Sequence, residues 1–165
     1  MRFALALLAW LGCGTGAPAS SAPSAGRVAV ELTSTDAESS KDSHDTIERY
    51  RLDGGRLHWE TETRGYGEDR IPRRSGDVVL DEQALVRLCD LALNLHLTED
   101  GAVEAGPLGG PGNTHTIEAV ITVDGRTGRW HAVHQRPWNG PKIEEPLRFT
   151  ALDTLRDTLA TLRGR

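Results

Sequence analysis

Hydrophobic and polar positions alternate strictly from Arg27 to Thr33: Val28, Val30 and Leu32 share one side, and Arg27, Ala29 and Glu31 the other. Successive strand side chains point to opposite faces, so this pattern predicts a half-buried strand. The Ser- and Asp-rich stretch Ser34 to Asp45 predicts a loop. Alternation resumes over Thr46 to Thr63, interrupted by Asp53-Gly54-Gly55, which supplies the positive φ angles of a tight hairpin. Pairing Leu52 with Leu57 puts Tyr50 opposite Trp59 on a greasy face. The same register sets Arg49 against Glu60 and Arg51 against His58 on a charged face.

Arg64 to Gly76 is charged and irregular, with a short strand expected at Asp77 to Leu80. The period then lengthens. Leu85, Leu88, Cys89, Ala92 and Leu95 recur at spacings of three and four, predicting a helix to about Leu95 with Asp81 as its N-cap. Thr98 to Asn113, rich in glycine and proline, predicts a loop. A second hairpin is expected over Thr114 to Gln135. Pairing Val123 with Trp130 gathers Ile117, Ala119, Ile121, Val123, Trp130, Ala132 and His134 on one face. That register sets Val120 against Val133 and Thr122 against His131 on the other. Arg136 to Phe149 predicts a Pro-rich loop. The last helix starts at Thr150 and carries Leu152, Leu155, Leu159 and Leu162 on one side. The expected fold is therefore α+β: an antiparallel sheet of about five strands, two hairpins plus an N-terminal strand, with two helices packed on one face. A single domain over 27–165 accommodates it.

The amino terminus changes the picture by supplying an address. Arg2, the apolar run Phe3 to Leu11 and the small residues after it have the layout of a secretory signal within residues 1–19. The apolar run is about half the ~20 residues that span a bilayer. Two cleavage chemistries compete. Trp10-Leu11-Gly12-Cys13 resembles a bacterial lipobox, which implies cleavage before Cys13, lipid attachment at Cys13 and a membrane partner through that anchor; Trp10 and Leu11 depart from the family's pattern. Ala17-Pro18-Ala19 offers ordinary signal-peptidase cleavage instead. The Gly/Ala/Pro/Ser tract over 14–26 reads as a flexible linker, a feature useful to an anchored protein. With Cys13 acylated or removed, Cys89 stands alone and is expected in the core as a small hydrophobe.

Charge and motifs then exclude function classes. The chain carries a formal net charge of −5, and its only lysines, Lys41 and Lys142, sit among scattered arginines. No basic stripe exists to neutralise phosphates, which excludes nucleic acid as partner. There is no G-x-S-x-G elbow, no P-loop and no dinucleotide fingerprint, so no catalytic residue, cofactor or metal ligand is assigned. His131 and His134 are three apart on a strand and face opposite ways, so they cannot share an ion. His58, His131 and His115 are candidates for the open side of the sheet, whereas His134 is expected to cap the core with a hydrogen bond. The acidic stretch Asp36, Glu38, Asp42 and Asp45 lacks the glycine and glutamate of an EF-hand loop.

Two features suit binding. Trp138, stiffened by Pro137 and Pro141, either anchors a protein partner in the envelope or tucks under the sheet edge. The charged face, with Arg49, Arg51, His58, Glu60, Thr122 and His131, offers a polar protein or glycan surface. Finally, the helix 81–95, the Gly-rich gap, the strand ending Val120-Ile121-Thr122-Val123-Asp124-Gly125, its partner Arg129 to His134 and the leucine helix resemble the layout of emfourin-type protease inhibitors over residues 81–165. The family's arginine and double-glycine signature has no counterpart here, and no functional residue is carried over. The expected protein is an exported, lipid-anchored, monomeric binding or inhibitory module, with a small envelope hydrolase or metal-dependent enzyme as the alternative.

Overall fold

A computed structural model describes residues 27–38, 44–65, 73–106, 112–138 and 144–164. The signal, Cys13 and the linker lie outside the described residues. The elements are β1 (Val28–Glu38), β2 (His44–Asp53), β3 (Arg56–Gly65), β4 (Arg74–Val79), α1 (Glu82–Asn94), β5 (Gly101–Ala105), β6 (Gly112–Val123), β7 (Arg126–Pro137) and α2 (Leu147–Arg163). The class is α+β, as expected. The sheet, however, has seven strands in the order β4-β3-β2-β1-β6-β7-β5, and its last pair, β5 with β7, is parallel.

The first hairpin has the expected register, Leu52 with Leu57, Tyr50 with Trp59, Arg49 with Glu60 and Arg51 with His58. Gly54 and Gly55 turn it with φ of 53° and 80°. The second hairpin has its expected faces but not its expected partners. Its turn is the two-residue Asp124-Gly125, with φ of 53° and 78°, so β7 already begins at Arg126. Val123 therefore pairs with Arg126, Val120 with Arg129 and Thr122 with Thr127. A register moved by four residues keeps every side chain on its own face, because the strand period is two.

Three segments expected as loops contribute strands. Ser34 to Glu38 extends β1, and β2 begins at His44. β1 is bonded to β2 on one edge and β6 on the other, and that pairing overrides the turn preference of Ser and Asp. The Gly/Pro-rich stretch after Thr98 contains β5, which sequence alternation could not reveal because its partner β7 lies about 30 residues downstream. β4 begins at Arg74, three residues before the expected Asp77.

Both helices pack on one face of the sheet. Val28, Val30, Leu32, Tyr50, Leu52, Leu57, Ile117, Ile121 and Ala132 meet Leu85, Leu88, Cys89 and Ala92 of α1 and Leu152, Leu155 and Leu159 of α2 in one buried cluster. Asp81 caps α1, its Oδ1 accepting from the Ala84 amide at 2.7 Å. α2 starts three residues before Thr150, with Pro146 at its N-cap, because Phe149 extends the leucine stripe and is fully buried. At Trp130 the indole donates to the Leu97 carbonyl at 3.0 Å. Among the described residues no helix is long and apolar enough to cross a membrane.

Candidate functional site

The helix-free face is built by the polar half of each strand's alternation. Arg49 and Arg51 of β2, His58 of β3 and His131 of β7 all lie on it, as their registers require. Each is held by a carboxylate. Arg49 lies 3.4 Å from Glu62 and 3.7 Å from Glu60, Arg51 3.6 Å from Glu31, His58 3.3 Å from Asp77, and His131 3.4 Å from Glu118. Arg73 and Arg64 reinforce the ladder. The Arg73 guanidinium, by hydrogen bonding, keeps the Glu60 carboxyl below the usual carboxylate value, and Arg64 does the same to Glu62. The arginine and histidine members of these pairs are exposed, so each ion pair contributes little to stability on its own.

At the middle of this face, on β1 and β6, small side chains outnumber charged ones. Ala29, Thr33 and Thr35 of β1 and Thr116, Val120 and Thr122 of β6 are small and uncharged, and among them stand two carboxylates, Glu31 directly opposite Val120 and Glu118 opposite Thr33. Val120 is 37% exposed. Two shallow depressions flank it. One of about 350 Å³ is bounded by Ala29, Glu31, Arg51, Asp53 and Thr122; the other, about 260 Å³, by Thr33, Glu118, Arg129 and His131. The result is a face on which Val120 and its threonine neighbours are framed by paired ions, two of whose carboxylates, Glu31 and Glu118, reach into the middle.

Trp138 does not join this surface. Its indole donates to Asn113 Oδ1 at 2.9 Å, and Asn113 shares a strand face with His115 on the helix side. Trp138 as a whole is 47% exposed, so it is tethered at the sheet's end without being covered.

A second polar constellation lies under α2, and sequence reasoning missed it. His115, expected as a candidate for the open face, lies on the helix face and is only 7% exposed; its pairing with His134 across β6 and β7 fixes that side. The open-face expectation ran against the strand's own alternation, since His115 lies two residues before Ile117 and so shares its face. Ser34 Oγ lies 2.9 Å from His115 Nε2, and Asp36 Oδ1 lies 3.8 Å from Nδ1. Phe149 of α2 meets both imidazoles edge-on, with centroids 5.1 Å from His115 and 5.3 Å from His134. His134 was expected to cap the core through a hydrogen bond. It is buried, but neither ring nitrogen makes one; Glu145 stands 3.5 Å from Nδ1 and is itself bonded by Arg136 at 3.1 Å. Asp153 lies 3.0 Å from Arg156, an ion pair without hydrogen-bond geometry.

Electrostatics in this layer run opposite ways. Burial pushes the His115 pKa below its ordinary 6.5, while Asp36 pulls it back up. Burial pushes the Asp153 carboxyl above its usual range, against the neighbouring Arg156 charge. Such a divergence between neighbouring titratable groups is characteristic of acid–base sites, though buried structural networks produce it too. Chemically, serine, histidine and aspartate stand in the order of a nucleophile, a base and an orienting acid. Ser34 is only 2% exposed, however, and borders neither of the two depressions. Among the described residues no group of three His, Cys, Asp or Glu side chains is disposed to hold a metal ion. The chain matches no family model, and no curated protein is significantly similar to it.

Proposed function

We propose that this protein is an exported, lipid-anchored, non-catalytic binding or inhibitory module of the bacterial cell envelope, and that it meets a protein partner with the helix-free face of its sheet. One observation carries this reading. Six of the seven residues expected to bind, Arg49, Arg51, His58, Glu60, Thr122 and His131, stand on one uncovered face around the exposed Val120. An exposed apolar side chain set among small and polar ones suits a non-obligate interface, which as a whole is no more apolar than ordinary surface. The rim charges are already paired, so they would set orientation and specificity more than affinity. The secretory layout of residues 1–19 and the Cys13 lipobox support the address.

Site-specific photo-crosslinking in membranes tests the face. A photoreactive residue at Val120 in the full-length chain should capture a discrete partner, and one at Leu147, which is 88% exposed near the helices, should not. Equal capture from both positions, or none from Val120, sinks the proposal. Incorporation of labelled palmitate into wild type but not Cys13→Ser tests the anchor separately.

The Ser34–His115–Asp36 arrangement favours a second reading, a small envelope hydrolase with Ser34 as nucleophile and His115 as base. Its burial weighs against it. A fluorophosphonate probe decides: labelling of wild type that is lost in Ser34→Ala favours the hydrolase, and no labelling removes it.

A further inference from the structure

The polar layer under α2 has a consequence independent of what the open face binds. We propose that the layer built around His115 is an acid-sensitive clasp, in which a proton taken up by His115 loosens the N-terminal half of α2 from the sheet.

The His115 ring is surrounded on three sides. From β1 it is met by Ser34 and Asp36, with Glu48 of β2 beside Ser34; from β7 by His134 and Arg136; and from α2 by Phe149, Asp153 and Arg156, while Glu145 of the segment before α2 stands against His134. Only one of these, the Ser34 hydroxyl, is within hydrogen-bonding distance of His115. Asp36 is 3.8 Å away and its side chain is 58% exposed, so solvent screens much of its attraction. Arg156 stands over the same layer, its guanidinium 3.9 Å from Asp36, and opposes a second cation. A charged imidazole here would be desolvated, bonded to one hydroxyl and pressed against the Phe149 ring.

Phe149 makes the effect mechanical. It is fully buried and touches both imidazoles, so it is the apolar plug that holds the first turn of α2 to β6 and β7. Pro146 caps that end of α2 without a side-chain hydrogen bond, which leaves packing as its main restraint. The far end is tied down separately, by Arg163 bonding Glu48 at 3.0 Å and Tyr50 at 3.2 Å. Opening at the Phe149 end would admit water to His115 while the C-terminal end stays attached.

His115 binds its proton less readily in the folded chain than in the unfolded one, because of burial. Its contribution to stability is therefore fully present above about pH 6.5 and is lost as the pH falls below it. Burial moves Asp153 the other way: as the pH falls its protonation favours the folded state, which keeps the layer from adding a second acid-labile charge.

Hydrogen exchange on the full-length chain tests the clasp. Protection factors for residues 147–156, corrected for intrinsic exchange, are compared with those of α1 at about pH 7 and about pH 5. In wild type the α2-to-α1 ratio should fall at least about threefold on acidification, and in His115→Gln it should hold steady. An unchanged ratio in wild type, or the same fall in the variant, overturns the proposal. If His115→Gln does not fold, the ring of wild-type His115 is titrated by NMR. A midpoint below 6.5 that coincides with shifts in α2 supports the clasp, and a midpoint at or above it, or one without shifts in α2, overturns it.

Discussion

Gly101 of β5 lies so close against the indole of Trp130 on β7 that even a methyl group at its α-carbon would run into the ring. The opposite flank repeats the device, where Gly76 of β4 faces Trp59 of β3 and an added carbon would lie 2.9 Å from the ring. An arginine of α2 covers each indole, Arg148 over Trp130 and Arg163 over Trp59, both at 5.5 Å. The two glycines thus let the two outer strands fold over large rings that α2 closes from above. The rings differ in freedom. Trp130 is 5% exposed and fixed by its bond to the Leu97 carbonyl, whereas Trp59 is only partly buried. Gly101→Ala should therefore cost about 1–3 kcal/mol by overpacking, and Gly76→Ala distinctly less, because its tryptophan can move aside. Urea denaturation of the two variants measures the difference; equal costs would contradict the account.

The leucine stripe of α2 supplies a second comparison. Leu155 is fully buried between the helix and the sheet, and Leu147 at the start of the same helix is 88% exposed. Leu155→Ala should destabilise by about 2–5 kcal/mol, since it removes buried apolar surface and leaves a cavity. Leu147→Ala should stay within about 0.5 kcal/mol. A comparable loss at Leu147 would mean that the exposed residue is covered by something in solution.

Local signals were strong where pairing is local, and that decided what the sequence could reveal. The first hairpin was legible to the register because Gly54-Gly55 admits one tight turn. The second hairpin's faces were legible and its partners were not: both candidate turns keep the same parity, and only the positive φ of Asp124 and Gly125 picks the shorter one. β5 was invisible because parallel pairing leaves no mark in the intervening chain. The open-face residues followed from alternation alone. The cluster of Ser34, His115 and Asp153 did not, because three distant segments, each polar and unremarkable in its own context, meet only when β1, β6 and α2 are assembled.

Tyr50 should give the protein an alkaline limit. Its phenol is pushed up to about 12 by burial first and by the Glu48 charge second, with Arg163 pulling the other way. The folded chain thus holds a proton that the unfolded chain releases from its ordinary value of 10.0. The resulting stability is fully present below pH 10.0 and is lost as the pH rises towards about 12. Tyr50→Phe should cost about 1 kcal/mol near neutrality through the bond from Arg163, and should flatten the decline above pH 10.0. Urea midpoints measured across that range check both effects, and parallel curves for the two proteins would refute the assignment.

Cys89 should behave as a core residue and not as a reactive thiol. It is 2% exposed on the inner side of α1, and burial, followed by the charges of Asp124 and Asp90, pushes its thiol up. Thiolate is the species that attacks a disulfide reagent, so burial slows the reaction twice, by withholding both access and ionisation. In a Cys13→Ser chain, where Cys89 is the remaining cysteine, modification at about pH 8 should be at least about 100-fold slower in the native protein than in denaturant. Cys89→Ala should cost about 1 kcal/mol through lost packing, and Cys89→Ser more, because a hydroxyl costs more than a thiol to bury in this apolar cluster and the Leu85 carbonyl one turn earlier offsets that only in part. A serine variant as stable as the alanine variant would place Cys89 at a hydrated boundary instead, and rapid native labelling would point the same way.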